Sequence, residues 1–461
     1  MDEQPQNLSI GRNLKIALFH LGSGMADILA TGTWNRIMIS DLGFSATPIG
    51  LLLSLRYFLA PLGVWAGRMS DQRTVAGYRR LFWVGFGRAL MVASMIGLGV
   101  ATASLARGVE ASPAMWAAIT VSLLLFSLGY SLSGGTFLAL VYDRTPEHQR
   151  GRAVGIVWTF LLLGFTVGGI LFALLLPQGE ENVARLDFTP ETLLNLFVIG
   201  ALVMGGLWFI SLVGEEKRNS VPVSSKAEHE PTTSLRTDLR LAWNNRQTRL
   251  FFWYLALSMI FAFSQDLILE PFAGDVFQMD PQHTTRFAGY WGSMSILGTV
   301  AFLWLSRRYQ RLTHTVMSYI GVAVLVLTFA VFGLSALAQI RPLVTPGLIL
   351  LGLGLGVWNV GTLGLMMDMS PFGRAGTFLG FWTLVVTFSR GLGVSGGGIV
   401  RDIALELTGS LPQSYGVVFV LGVIGLLASL WMLSRVNVKA FKETYAGQPA
   451  DTATVLAGAM D

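Results

Sequence analysis

Residues 114–155 read AMWAAITVSLLLFSLGYSLSGGTFLALVYDRTPEHQRGRAVG. Up to Val141 no residue carries a charge, and the stretch exceeds the roughly 20 apolar residues that a membrane-crossing helix needs. It then turns abruptly polar in the pattern Asp143-x-x-Pro146-x-x-x-x-Gly151-x-x-x-Gly155. The same pattern returns after another long apolar stretch as Asp368-x-x-Pro371-x-x-x-x-Gly376-x-x-x-Gly380, every position shifted by 225. One apolar span followed by one loop, copied at equivalent places, reads as an internal duplication of a membrane protein.

The rest of the chain agrees. Of its 461 residues 52% are hydrophobic and 13% charged, against about 25% charged in soluble domains. Too few charges remain to cover a water-facing surface. There is no Cys, which removes disulfide frameworks, thiolate metal sites and cysteine nucleophiles. Twelve stretches qualify as spans, near 14–38, 47–67, 81–104, 114–141, 153–176, 191–213, 249–270, 286–306, 315–337, 345–367, 376–400 and 415–434. With both termini in the cytoplasm, 23 of the 32 Lys and Arg fall in cytoplasmic segments and 5 in the opposite loops. The positive-inside rule therefore places both termini in the cytoplasm. The net charge of +5 sits in short loops between spans, so nucleic acid is not an expected partner; the lipid bilayer is.

The longest polar stretch, rich in Ser, Pro, Lys and Glu, divides the spans six and six and reads as a flexible linker. The expected organisation is a six-helix half over 1–213, a cytoplasmic linker over 214–248, a second six-helix half over 249–435 and a cytoplasmic tail over 436–461. Within the linker, 235–244 has the pattern of a surface-lying amphipathic helix. Between the second and third spans stands Gly67-Arg-Met-Ser-Asp71-Gln-Arg73, followed by Gly77-Tyr-Arg79-Arg80. This resembles the cytoplasmic loop motif of the major facilitator superfamily, with extra residues between Asp71 and the arginine pair. The counterpart Ser306-Arg307-Arg308-Tyr309-Gln310-Arg311 keeps the basic charge and lacks the Gly and Asp. The resemblance implies two parallel-repeat halves around a midplane cavity, with the first, fourth, seventh and tenth spans at the centre. Asp71 is expected to pair with Arg79, Arg80 or Arg152, and Asp143 with a neighbouring Arg.

Ionisable groups inside spans cost roughly 2.5–3.5 kcal/mol each on insertion scales, so each needs a partner or a wet cavity. The candidates for the cavity are His20, Asp27, Arg56, Asp266, Asn359 and Arg390. Arg88 is set aside as a structural residue toward a span end. Asn359 interrupts an apolar span and can hydrogen-bond a ligand carbonyl. His20 is the only histidine within a span, so a multi-histidine metal site is not expected. Such a lone histidine commonly serves a helix–helix hydrogen bond, although one imidazole suffices as the axial ligand of a magnesium tetrapyrrole. Arg36 and Glu270 stand at matching depths near the outer ends of the first and seventh spans. They are expected to pair across the halves as an outer gate, with Asn35 beside them and Pro271 ending the seventh span. Gly352-x-Gly354-x-Gly356 and Gly391-x-Gly393-x-x-Gly396-Gly397-Gly398 favour close helix approach. No phosphate loop, zinc-binding pair or serine elbow appears, and no enzyme is expected.

Several segments together carry a narrower resemblance. They are Gly32-Thr-Trp-Asn35-Arg36-Ile-Met38-Ile, Ala60-Pro61-Leu62 through Asp71, Gln265-Asp266-Leu-Ile-Leu-Glu270-Pro271-Phe272-Ala-Gly274, Gly376-Thr-Phe-Leu-Gly380 and Arg390-Gly391-Leu-Gly393. The chain is similar over about 10–435 to the PucC and LhaA group, the bacteriochlorophyll delivery family of the major facilitator superfamily. The resemblance implies a protein of an inner, intracytoplasmic or thylakoid membrane that assists light-harvesting complex assembly by binding or delivering (bacterio)chlorophyll. The pigment or its precursor would be cargo rather than resident cofactor. Antenna polypeptides or the pigment-synthesis and insertion machinery would be the partners. The alternative from another class is a proton-coupled transporter of a small solute, with Asp27, Asp266 or Glu270 as the proton site.

Overall fold

A computed structural model of the chain describes residues 8–146, 149–177, 189–216, 218, 243, 245–370 and 375–446. Most of the linker, its expected amphipathic helix, Pro371 and the end of the tail lie outside them. The described residues are helical throughout, apart from turns and one isolated bridge between Val75 and Tyr78. Among the described residues, ten helices are long and apolar enough to cross a membrane, including Leu81–Ala106, Pro113–Arg144, Pro190–Leu212, His314–Leu337 and Leu411–Leu433. Their starts are written in the sequence. Ser112, Thr189 and Thr313 each accept a hydrogen bond from the backbone N–H three residues on, which satisfies one of the open donors at a helix start.

The two expected spans missing from those ten are the first and the seventh, and both are interrupted helices. The first runs as an α-helix over Ile10–Asp27, widens into π-helical turns at Ile28–Thr33 and Ile37–Asp41, and has one α-turn, Trp34–Arg36, between them. The seventh stops at Phe263, passes through irregular turns over 264–268, and restarts as Leu269–Phe277. Pro271 therefore opens a helix rather than ending one. It sits in the first turn, where its missing N–H costs nothing. Interrupted helices at corresponding places of two repeats are where transporter folds build their sites, and π-turns gather at functional sites generally.

Glycine decides how closely these rods approach. An added side-chain carbon at Gly393 would collide with the carbonyl of Ile260, and one at Gly397 with that of Ser264. The eleventh span thus lies directly on the backbone of the seventh, along its broken part. Across the two halves, the eleventh span packs on Ala46–Phe58 of the second, and the helices Pro281–Thr285 and Phe287–Arg308 pack on the fifth. All of these contacts lie toward one end. At the opposite end, the one holding the Gly67–Asp71 motif, Gly67, Gly155 and Gly380 have nothing within 4 Å of where a side chain would begin. The hydrogen bonds that join the halves among the described residues, from Asn35, Arg36, Ala46 and Thr47, all lie at the far end.

Candidate functional site

The embedded charges gather where the two interrupted helices face each other. Asp27 lies just before the first π-turn and accepts a hydrogen bond of 2.5 Å from Arg56 Nη1 on the second span. Asp266 lies in the break of the seventh span and accepts one of 3.0 Å from Arg390 Nη2 on the eleventh, with Gln265 Nε2 donating to its other oxygen at 2.7 Å. Tyr57 stands between the two pairs. Its hydroxyl accepts from Arg56 Nη2 at 2.8 Å, and its ring centre is 4.7 Å from the Arg56 guanidinium and 5.3 Å from that of Arg390. Phe263 covers Arg390 at 4.1 Å, and the Tyr130 ring lies 5.9 Å from Arg56. Sequence reasoning found the four charges as single cavity residues. Their pairing, and the part played by Tyr57 and Tyr130, it missed. The one signal for Tyr57 was an aromatic next to an arginine deep in an apolar span. The arrangement is electrically balanced, two carboxylates against two guanidinium groups, roofed by aromatic rings.

His20 and Asp27 share a face of the first helix, two turns apart. The His20 ring lies against Phe137 of the fourth span, centroids 5.2 Å apart, and meets Trp158 of the fifth edge-on at 6.1 Å. Its Nδ1 is buried without a partner, and the ring makes no hydrogen bond among the described residues. The expected helix–helix bond is absent there. Behind it, Arg88 is sandwiched between the rings of Phe19 (4.1 Å) and Trp208 (4.8 Å), a packing role consistent with its buried position. Asn359 is exposed, and Leu363 and Met367, on the same helical stripe, are exposed with it toward the motif end. Among the described residues no three His, Asp or Glu gather as a metal site would require.

The far end is closed by different bonds from those expected. Arg36 pairs not with Glu270 but with Asp41, at 2.9 Å, and crosses to the other half through a 2.9 Å bond from Nη2 to the Met279 carbonyl. Asn35 Nδ2 crosses beside it to the Leu267 carbonyl at 2.6 Å. The reason for the switch is helical pitch. Residues five apart diverge on an α-helix but align on the π-helical turn Ile37–Asp41, which brings Asp41 under Arg36. Glu270 is left buried in the first turn of its helix against Gly32, without an ion pair among the described residues. That placement suits the positive end of the helix dipole. A further latch was missed. Asp402 on the eleventh span accepts from the N–H groups of Ala46 (3.2 Å) and Thr47 (2.7 Å), capping the second span from the opposite half. Arg401 holds Asp402 at 2.8 Å and Asp275 at 3.1 Å.

At the motif end Arg80 pairs with Asp71 and, at 3.1 Å, with Asp143, which also takes Arg79. Arg152 does not join them. It donates to the Leu8 carbonyl at 3.1 Å and ties down the start of the first helix. Gly67 makes no close approach to another helix; its carbonyl accepts from Ser70 Oγ at 2.7 Å. Glu216, another missed residue, accepts from the N–H groups of Arg79, Arg80 and Leu81 at 2.7, 3.0 and 2.7 Å. Its neighbour Glu215 takes Arg12 and Lys15, each at 3.0 Å. In the second half Asp368, the repeat partner of Asp143, takes His314 at 2.7 Å and Lys442 of the tail helix at 2.9 Å. The repeated aspartate thus anchors the motif end in both halves, with different partners.

The family model described as PUCC protein matches residues 33–441. The chain belongs to this family. Among its relatives is Protein PucC of Rhodovulum sulfidophilum, 29% identical over 403 residues, which cover 86% of each chain. Another is the "Bacteriochlorophyll synthase 44.5 kDa chain" of Rhodobacter capsulatus, 29% identical over 415 residues, covering 88% of this chain and 90% of the relative. Among solved structures, the nucleoside transporter NupG (D323A mutant) superposes with a TM-score of 0.68 at 15% identity, over 92% of this chain and 99% of that one. That likeness fixes the fold, that of the major facilitator transporters. The chain is a multi-pass membrane protein.

Proposed function

We propose that this protein receives a (bacterio)chlorophyll, or a precursor of it, in the opening between its halves and hands it to antenna polypeptides or the insertion machinery during light-harvesting complex assembly. It acts as a carrier and not as an enzyme, in the inner, intracytoplasmic or thylakoid membrane of a phototroph. With both termini cytoplasmic, the motif end would face the cytoplasm, and the cargo would enter from that side, away from the hydrogen bonds that join the halves at the far end. The halves 1–213 and 249–435 would rock about the central charges, with 214–248 as a slack tether.

The observation that carries this reading is the self-neutralised centre. Asp27 and Asp266 are already matched by Arg56 and Arg390, and the surfaces left around them are rings. A charged or many-hydroxyl solute needs free partners there, because unpaired polar groups are costly away from water. A flat apolar macrocycle needs few. A groove of about 350 Å³ between the seventh and eleventh spans, lined by Phe252, Trp253, Ile260, Leu384 and Phe388 among others, suits an isoprenoid tail. One relative's name, the bacteriochlorophyll synthase chain, points to the same pigment. The second reading, proton-coupled transport of a small solute, is favoured by Glu270, a buried carboxylate that forms no ion pair among the described residues.

The deciding experiment is purification from a pigment-making host in mild detergent, with an absorption spectrum. Chlorophyll-type bands co-eluting with the protein are expected, and no uptake of solute driven by a proton gradient in vesicles. A colourless protein that accumulates a polar solute on acidification would overturn the proposal in favour of the second reading.

A further inference from the structure

Resting on the pigment reading above, we propose that His20 is the axial ligand of a magnesium tetrapyrrole, held between the first, fourth and fifth spans. A histidine inside a membrane helix usually has a partner that explains it. This one has none among the described residues: 8% of the residue is exposed, Nδ1 is buried without a bond, and Nε2, which makes no hydrogen bond there either, is not among the fully buried atoms. Nor is the ring loose. Phe19 (5.6 Å), Phe137 (5.2 Å, 28° from parallel) and Trp158 (6.1 Å, 80°) fix its plane. The ring is therefore held in place with the Nε2 lone pair free for an incoming ligand, while Nδ1 stays buried and unpaired whether or not a ligand binds.

The chemistry of the acceptor matches. A magnesium tetrapyrrole has its four equatorial sites filled by its own nitrogens and accepts a single neutral donor along the axis. It therefore needs one imidazole and no cluster of protein ligands, as found here. Trp158 is half exposed beside the histidine, and one turn away at Gly155 an added side chain would meet nothing within 4 Å. A macrocycle thus has an aromatic edge to lean on and open volume next to it. The bare Nδ1 has a consequence as well. Ligating histidines normally donate their second N–H, and loss of that partner costs roughly 10–100-fold in metal affinity. Ligation by His20 is correspondingly weak and reversible, as delivery requires.

The test titrates the full chain in mild detergent with chlorophyllide a and with pheophorbide a, the same macrocycle without magnesium, followed by absorption. Wild type should bind the magnesium form about 10-fold or more tightly than the free base, which corresponds to about 1.4 kcal/mol for the added axial bond. His20→Phe keeps the ring stack and removes both nitrogens; it should bring the magnesium form down to free-base affinity and leave free-base binding unchanged. His20→Gly should lose the same preference and regain it on addition of imidazole. Equal affinity of wild type and His20→Phe for chlorophyllide a would overturn the assignment of His20 while leaving the pigment reading standing. Failure of wild type to bind either macrocycle would overturn both.

Discussion

Removing one partner of the Asp27–Arg56 pair should be among the most costly single changes in this protein. The Arg56 side chain is 3% exposed and that of Asp27 15%. Breaking a buried pair costs about 3–5 kcal/mol, because the surviving charge is stranded. Asp27→Asn belongs at the lower end, about 3 kcal/mol, since Arg56 keeps the Tyr57 hydroxyl at 2.8 Å and its ring at 4.7 Å. That is roughly a hundredfold in the folded-to-unfolded ratio at about 1.4 kcal/mol per decade. Arg56→Gln strands Asp27 and should cost as much or more. The double variant removes both charges and should recover about half of the summed loss, the coupling expected of groups in contact. The Asp266–Arg390 pair, with Arg390 33% exposed, should couple by only about 1–2 kcal/mol, between the surface and buried regimes. The assay is reversible denaturation in mixed micelles followed by tryptophan fluorescence, run as two double-mutant cycles. Additive losses at Asp27 and Arg56, or a larger coupling at the more exposed pair, would refute the assignment of the first pair as the buried anchor.

Other consequences follow from the two ends. Asp402→Ala removes the cap on the second span and should cost about 1 kcal/mol; because that cap comes from the other half, it should also shift the protein toward a far-end-open state, read as distances between spin labels on introduced cysteines, for which the chain offers a cysteine-free background. Exchanging Arg36 with Glu270 should bring no recovery of assembly, whereas exchanging Arg36 with Asp41 should recover part of it, measured as antenna absorption in cells. Asp71→Asn breaks one partly exposed pair worth about 0–1 kcal/mol, so assembly should fall with little loss of folded protein on size-exclusion chromatography. Gly397→Ala should lower stability by about 1–3 kcal/mol, the usual cost of overpacking, and a thermal melt at the wild-type midpoint would contradict the direct backbone contact.

Some of this was open to reading from residues alone and some was not, for identifiable reasons. The repeat at 143 and 368 was legible because a duplicated loop preserves residue type at a fixed offset. The pair of Asp71 with Arg80 was legible because one short loop limits the partners; Asp143, expected only to find a neighbouring Arg, takes Arg79 and Arg80 from a different loop, 64 and 63 residues away. Arg36 was misassigned because depth matching assumes uniform α-helical pitch, and two π-turns change which residue lies beneath it. Pro271 was misread for a related reason: a proline ends helices or begins them, and only the break over 264–268 determines which.

The sequence by itself determined the solvent of this protein, since 13% charged residues cannot face water, and with it a helical fold, because a lipid-exposed backbone must satisfy its own hydrogen bonds. Apolar run lengths, the loop repeat and the segments around Asn35 and Glu270 were enough for the family. Tertiary structure alone decided who pairs with whom. Asp266 and Arg390 are 124 residues apart, and Asp402 caps a helix 355 residues earlier in the chain. Such contacts depend on the rotation and register of packed helices, which arise from glycine contacts and helix breaks summed over the whole bundle. A residue's type carries no record of that sum. For the same reason the sequence could place His20 inside a span, and only the packing around it left the ring without a hydrogen bond among the described residues.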